Sequence, residues 1–90
     1  MILAPGTMVT LSELARVLGS EHDLHERPFS SLIEEERHQN RSVGKFCEGS
    51  YGTVITSTDG GMQYYIISCG RMGWIAAAFL KEITNEIVSR

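Results

Sequence analysis

The sequence has few of the residues that mark disulfide-rich, exported or membrane-spanning proteins. Two cysteines occur among 90 residues, and Cys47 and Cys69 stand too far apart to indicate a disulfide framework, so we expect free thiols. No apolar run approaches the roughly 18 residues that a membrane span needs. Residues 1–6 lack the basic start and the apolar length of a signal peptide. We therefore expect a cytoplasmic protein without a membrane partner.

Motifs of catalysis and of cofactor binding are also missing. The glycines form neither a phosphate-binding loop nor a dinucleotide-binding motif, and no serine stands in a nucleophile elbow. His22 and His25 form a single pair, whereas structural zinc sites usually have two tight pairs of ligands. Glu34, Glu35 and Glu36 are adjacent, so on a helix they point in different directions and do not form an acid–base pair. We expect a protein that is not an enzyme and that holds no metal or cofactor.

Length and composition are those of one small globular domain. Hydrophobic residues make up 42% of the chain and charged residues 21%, which is typical of a folded chain rather than a disordered tail. A domain of this size buries only about two thirds of the surface of its unfolded chain. We expect a single domain over residues 1–90, for which a homodimer would supply additional burial.

Charge is unevenly distributed, although the formal net charge is only −3. Residues 21–36 contain one base, Arg27, and six acids: Glu21, Asp23, Glu26, Glu34, Glu35 and Glu36. Residues 37–45 contain no acid and carry Arg37, His38, Arg41 and Lys45. A local basic patch is typical of phosphate contact. The alternative is a solvated helix end, where cations complement the C-terminal dipole.

Residues 10–19 have the pattern of a short amphipathic helix. Thr10 is a natural N-cap, and Glu13 can complete a capping box with it. The apolar residues at helical spacing are Leu11, Leu14, Ala15 and Leu18. Gly19 ends the helix. An isolated helix of this length is marginal in water, so we expect it to form the first half of a helix-turn-helix.

A second helix is expected after a turn at residues 20–24. Pro28 is favourable at the first helical position, and the helix then runs to about His38 with Phe29, Leu32 and Ile33 buried. After a lead-in over residues 1–9, residues 10–40 thus form a helix-turn-helix-like unit. The part of this unit predicted to contact DNA consists of Arg27, Ser30, Ser31, Arg37, His38, Arg41 and Lys45.

The second half of the chain predicts a β-hairpin and a long helix. Residues 51–68 hold two runs rich in β-branched and aromatic residues, with a turn at residues 58–61 between them. Residues 71–89 place apolar side chains at helical spacing. Trp74, Ala77, Ala78 and Lys81 on this helix form a candidate dimer interface, although burial of Trp74 in its own core is the alternative. The expected fold is α+β and winged-helix-like: two short helices, a hairpin and a long C-terminal helix.

Three segments between Val9 and Phe79 resemble the phage regulatory proteins of the Rha family. The first is VTLSELARVLGSEH, in which a capped helix ends at glycine and is followed closely by His22. The second comprises Phe46, Ser50 and Tyr51 before the hairpin, and the third is QYYIISCGRMGWIAAAF. The resemblance implies a DNA-binding regulator. Where the family commonly has a basic second helix, this chain has Asp23, Glu26 and Pro28.

Two functions from different classes follow from these patterns. One is a phage or prophage-type regulator that binds double-stranded DNA through the helix-turn-helix-like unit. The other is a small protein-interaction module, such as an antirepressor or an anti-CRISPR-like inhibitor of a host defence protein. Its acidic surface, comprising Glu21, Asp23, Glu26, Glu34, Glu35 and Glu36, would bind a basic protein partner.

Overall fold

A computed structural model describes residues 2–28 and 40–83. Within these ranges the chain forms one short helix, α1 (Glu13–Leu18), and seven strands. The strands are β1 (Met8–Leu11), β2 (Glu21–His25), β3 (Ser42–Cys47), β4 (Gly52–Thr58), β5 (Gln63–Ser68), β6 (Arg71–Ala76) and β7 (Leu80–Glu82). Short 3-10 turns at Asp59–Gly61 and Ala77–Phe79 join β4 to β5 and β6 to β7.

The seven strands form one antiparallel sheet that curls into a half-barrel. Their order across the sheet is β3-β2-β6-β5-β4-β1-β7. Strands β4, β5 and β6 form a meander, β1 extends it on one side, and β2 joins it on the other. The ladder between β2 and β6 has a single pair, His25 with Trp74, whereas β5 and β6 pair from Gln63–Ala76 to Ser68–Arg71.

The predicted winged-helix-like fold with a long C-terminal helix is wrong. The segment predicted as that helix consists of β6, a 3-10 turn and β7 as far as Glu82, and its last residues, 84–89, lie outside the described ranges. The first half of the predicted helix-turn-helix contains α1, but β2 occupies the predicted turn, so α1 is followed by a strand. The second helix, with Phe29, Leu32 and Ile33, falls on residues 29–39, outside the described part of the chain.

The concave face of the half-barrel holds the hydrophobic core. Successive side chains of a strand alternate between faces, and in β1 and β5 alternate apolar side chains are buried in this core: Val9 and Leu11, and Tyr64 and Ile66. The buried residues are Val9, Leu11, Ala15, Leu24, Phe46, Val54, Tyr64, Ile66 and Ile75. Phe46 and Leu24 are fully buried, and burial of each such side chain contributes about 1.5–3 kcal/mol.

Gly73 allows β6 to approach β2 closely. A Cβ atom built on Gly73 would lie 2.6 Å from the Cβ of Leu24 and 3.0 Å from its carbonyl carbon. A side chain there would displace Leu24 from the core, because the clash is with atoms close to the backbone. The absence of a side chain at Gly73 therefore helps to place β2 beside the meander.

The N-cap of helix α1 lies two residues later than the sequence pattern predicts. Ser12, not Thr10, is the N-cap: its hydroxyl accepts a hydrogen bond from the Ala15 N–H at 3.2 Å. Thr10 lies in β1, and its hydroxyl donates to the Ser50 carbonyl. The Ser12 hydroxyl also donates to the Ala78 carbonyl at 2.8 Å, which ties the helix to the turn before β7. The predicted capping box of Thr10 and Glu13 is therefore wrong, while Gly19 does end the helix.

The predicted apolar face of this helix is buried only in part. Leu11 and Ala15 belong to the core, whereas Leu14 and Leu18 are exposed, as is Val17. Strand β2 and the turn before β7 cover only one narrow side of this short helix. Within the described ranges, no helix is long and apolar enough to cross a membrane.

Candidate interaction surface

The hairpin of β2 and β3 brings residues of the predicted acidic surface together with residues predicted to bind DNA. Asp23 lies directly opposite Lys45 in this antiparallel pair. The Lys45 Nζ is 2.6 Å from the Asp23 Oδ1, and the Ser42 hydroxyl donates to the same carboxylate oxygen at 3.0 Å. At the end of the hairpin, Arg41 Nε lies 3.6 Å from Glu26 Oε2. Residues predicted to bind DNA thus form ion pairs with residues predicted to bind a basic protein.

These contacts stabilise the charged forms of the pair. Hydrogen bonds from Lys45 and Ser42 hold the pKa of Asp23 below its ordinary value. The hydrogen bond to Asp23, and the negative charge of this carboxylate, raise the pKa of Lys45. Both side chains remain partly exposed to solvent, so the pair neutralises the surface more than it stabilises the fold.

The other residues predicted to bind DNA do not form a basic patch within the described ranges. Arg27 is exposed, and its backbone is held by Asn40: Arg27 N–H donates to Asn40 Oδ1 at 3.0 Å, and Asn40 Nδ2 donates to the Arg27 carbonyl at 2.8 Å. No motif in the sequence marks this buried asparagine. Four residues predicted to bind DNA lie outside the described ranges: Ser30, Ser31, Arg37 and His38.

The predicted acidic surface is also incomplete in the described chain. Glu21 is exposed on β2, while Asp23 and Glu26 have the cationic partners given above. Glu34, Glu35 and Glu36 lie outside the described ranges. Two of the three described acids of this surface therefore carry paired negative charge.

The candidate dimer residues do not share a helix face, because the helix that was to carry them is not formed. Trp74 lies on β6, Ala77 and Ala78 form the following turn, and Lys81 pairs with Thr10 at the opposite side of the sheet. Trp74 is half-buried, with its ring centroid 5.2 Å from that of Tyr65. The tryptophan thus belongs to a sheet surface.

His22 and His25 lie on β2, beside a small concavity next to β6. This concavity is lined by His22, Asp23, His25, Ile75, Ala76 and Phe79. His22 donates from Nε2 to the Ala15 carbonyl at 2.7 Å, and its ring centroid is 4.8 Å from that of Phe79. His22 therefore joins β2 to α1 and to the turn before β7.

In the part of the chain that the structure describes, no three His, Cys, Asp or Glu side chains are arranged to hold a metal ion, and Cys47 and Cys69 are free thiols.

The convex side of the sheet carries two rows of uncharged side chains. Residues directly opposite one another in antiparallel strands project on the same face. The first row is Met8, Thr53, Ile67 and Met72, and the second is Thr56, Tyr65 and Trp74. We call these seven residues the outer face. His25 of β2 lies opposite Trp74 at the end of the second row.

Large apolar side chains of the outer face are accessible to solvent. Ile67 is 38% exposed and Met72, directly opposite it, is 48% exposed; Met8 at the end of the same row is 47% exposed. The neighbouring row adds the contacting rings of Tyr65 and Trp74. Interface cores are enriched in Tyr, Trp and Met and depleted of charged residues, so the outer face has the composition of an interaction surface.

A signal for this surface was present in the sequence. Strand β5 contains the adjacent pairs Tyr64-Tyr65 and Ile66-Ile67. Adjacent residues of a strand point to opposite faces, so a strand with these pairs carries apolar side chains on both faces. Met72 falls in the segment predicted as the C-terminal helix, so helical spacing does not place it beside Ile67.

Comparisons with known proteins give no relative: no family model, no curated protein and no solved structure matches this chain. The resemblance to the Rha family therefore stays a prediction. The exposure and apolar character of the outer face are the observations that bear on function.

Proposed function

We propose that this domain is a protein-interaction module that binds another protein through its outer face. The observation that carries the proposal is the cross-strand pair Ile67 and Met72, two solvent-accessible apolar side chains in a row without charge. Exposed apolar patches of this kind typically mark interaction sites in folded proteins.

The chemistry of the outer face defines the partner that it fits. None of its seven residues can supply the cationic side chains that phosphate groups require. Burial of a charged partner group against Ile67 and Met72 would leave that charge unpaired, which is unfavourable. The partner is therefore a protein that presents an uncharged, apolar surface.

The ion pairs of the β2–β3 hairpin support an apolar protein partner over the two partners predicted from charge, which are DNA and a basic protein. Lys45 and Arg41, predicted to contact DNA, each lie beside a carboxylate, and Asp23 and Glu26, predicted to bind a basic partner, are those carboxylates. An antirepressor or an inhibitor of a defence protein remains compatible with the proposal, with apolar rather than acidic contacts. Binding to double-stranded DNA stays a prediction, and a titration with random duplex at low salt tests it.

The test of the proposed function uses a partner captured by the tagged chain and then purified. Binding of that protein is measured by calorimetry for the natural chain and for Ile67→Asp, which places a charge in the centre of the outer face. We expect the dissociation constant to rise by about tenfold or more, as for a residue at the centre of an interface.

Val17→Asp is the matched control, because Val17 is 82% exposed on α1 and lies outside the outer face. It introduces the same charge, and we expect it to leave the dissociation constant unchanged. Circular dichroism verifies that both variants fold. The proposal is overturned if Ile67→Asp binds as tightly as the natural chain, or if no purified protein binds and duplex DNA does.

A further inference from the structure

Two methionines lie at the two ends of the first row of the outer face. Met8 on β1 lies opposite Thr53, which lies opposite Ile67, and Ile67 lies opposite Met72 on β6. Because neighbouring strands are about 4.8 Å apart, the two methionine positions are separated by about 14 Å. A protein interface covers about 800 Å² of each partner. An interface centred on Ile67 therefore covers both methionines.

Both thioether side chains are accessible to a small reagent in solution. Met8 is 47% exposed and Met72 is 48% exposed. Val9 on β1 and Ile75 on β6 are buried on the concave side, so the alternation of side chains directs both methionines to the convex side. Met62 is 64% exposed, but it lies directly before β5 and outside the outer face. Met62 is therefore an internal reference for oxidation away from this face.

Oxidation changes the groups that a methionine can contact. The thioether sulfur attacks one oxygen of hydrogen peroxide, so that a sulfur–oxygen bond forms and the oxygen–oxygen bond breaks. The second oxygen leaves as water after it takes up the proton of the first. The sulfur is oxidised by two electrons and the peroxide is reduced. The product, methionine sulfoxide, is polar where methionine is apolar, and sulfoxide reductases convert it back to methionine.

We propose that Met8 and Met72 are modification sites, whose oxidation to the sulfoxide by a peroxide weakens binding through the outer face. The inference rests on the proposed function and names the regulation of that same surface. A sulfoxide oxygen is a hydrogen-bond acceptor, and burial of an acceptor against an apolar partner without a donor is unfavourable. Ile67, directly opposite Met72, has no donor in its side chain. Oxidation thus removes the apolar character on which the interface depends.

Calorimetry with the purified partner of the outer face tests this regulation. Each chain is treated with hydrogen peroxide, separated from it and titrated with untreated partner. For the natural chain we expect treatment to raise the dissociation constant by about tenfold or more. The double variant Met8→Leu, Met72→Leu retains apolar side chains of similar volume and has no thioether on the outer face. We expect its dissociation constant to be the same before and after treatment.

Met62→Leu is the matched control, because it removes an exposed methionine outside the outer face and retains Met8 and Met72. We expect treatment to weaken its binding as much as that of the natural chain. The double variant also controls for thiol oxidation, since it retains Cys47 and Cys69. Peptide mass spectrometry locates the added oxygen atoms, and circular dichroism verifies that the treated chains fold.

The proposal is overturned if peroxide that oxidises Met62 leaves Met8 and Met72 unmodified, or if the oxidised natural chain binds as tightly as the untreated one. It is also overturned if oxidation unfolds the natural chain, or weakens binding of the double variant to the same extent. Binding that Ile67→Asp does not change contradicts the proposed function itself. Binding that Ile67→Asp weakens and peroxide does not contradicts the oxidation proposal alone.

Discussion

Lys45 Nζ lies 2.6 Å from Asp23 Oδ1 across the β2–β3 hairpin. In the sequence these residues belong to a basic stretch and an acidic stretch, each of which suggests a different partner. In the folded chain they occupy one position of a strand ladder. Each of these two charges is therefore compensated within the chain.

The pair predicts a defined pH dependence. Because the folded chain lowers the pKa of Asp23, this residue stabilises the fold at pH values above its unfolded pKa of about 3.9. That stability is lost as the pH falls through the folded pKa. A raised pKa of Lys45 contributes stability below about 10.4, which is lost as the pH rises through the folded pKa. We expect the natural chain to be more stable than Asp23→Asn between about pH 4 and pH 10, and the difference to vanish at both extremes. Urea unfolding across this range measures it; a difference that does not change with pH would contradict the pairing.

Gly73 predicts a steric effect in the core. Gly73→Ala places a methyl group against Leu24 Cβ, so we expect a loss of roughly 1–3 kcal/mol in the free energy of unfolding. Gly19→Ala is the control, since Gly19 has extended backbone and its nearest new contact is 3.7 Å away. Denaturant melts of the two variants should differ clearly, and equal stabilities would show that β6 and β2 are further apart than described.

The turn between β5 and β6 predicts a stabilising substitution. Cys69 has φ 53° and Gly70 has φ 77°, which is the left-handed conformation that two-residue hairpin turns require. Asparagine tolerates this conformation better than cysteine, so Cys69→Asn should raise the free energy of unfolding by about 0.5–1 kcal/mol.

Gly70→Ala is the matched change at the neighbouring position. A Cβ there would contact nothing within 4 Å, so only backbone strain opposes it, and we expect a loss of about 1–2 kcal/mol. Thermal melts monitored by circular dichroism compare both variants. A stabilised Gly70→Ala, or a destabilised Cys69→Asn, would exclude this turn.

Local turn and cap chemistry made parts of the fold predictable from the sequence. The hairpin expected over residues 51–68 corresponds to β4 and β5, because the glycine-rich turn and the β-branched flanks act within a few residues of one another. The helix expected over residues 10–19 corresponds to α1, shortened to Glu13–Leu18. Its N-terminal boundary was wrong because Thr10 and Ser12 are both good caps, and pairing of Thr10 in β1 decides between them.

Residues 71–82 could not be assigned from periodicity. Met72, Ile75, Ala76 and Phe79 have helical spacing, but the short turn at Cys69-Gly70 returns the chain alongside β5 and makes it a strand. The tertiary pairing of β6 with β5 thus outweighs a local pattern. Similarly, the contact of Asp23 with Lys45 depends on the register of two strands that residues 26–41 separate. Counting charges along the sequence does not reveal this register.

The dissociation constants of the captured partner for two variants test the central claim, which is that the outer face forms the interface. Ile67→Asp changes this face, whereas the double variant Glu21→Lys, Glu26→Lys reverses two of the three described acids of the predicted acidic surface. We predict that Ile67→Asp raises the dissociation constant by about tenfold or more and that the charge reversal changes it by less than about threefold. The opposite result, with loss of binding on charge reversal and none for Ile67→Asp, would contradict the account.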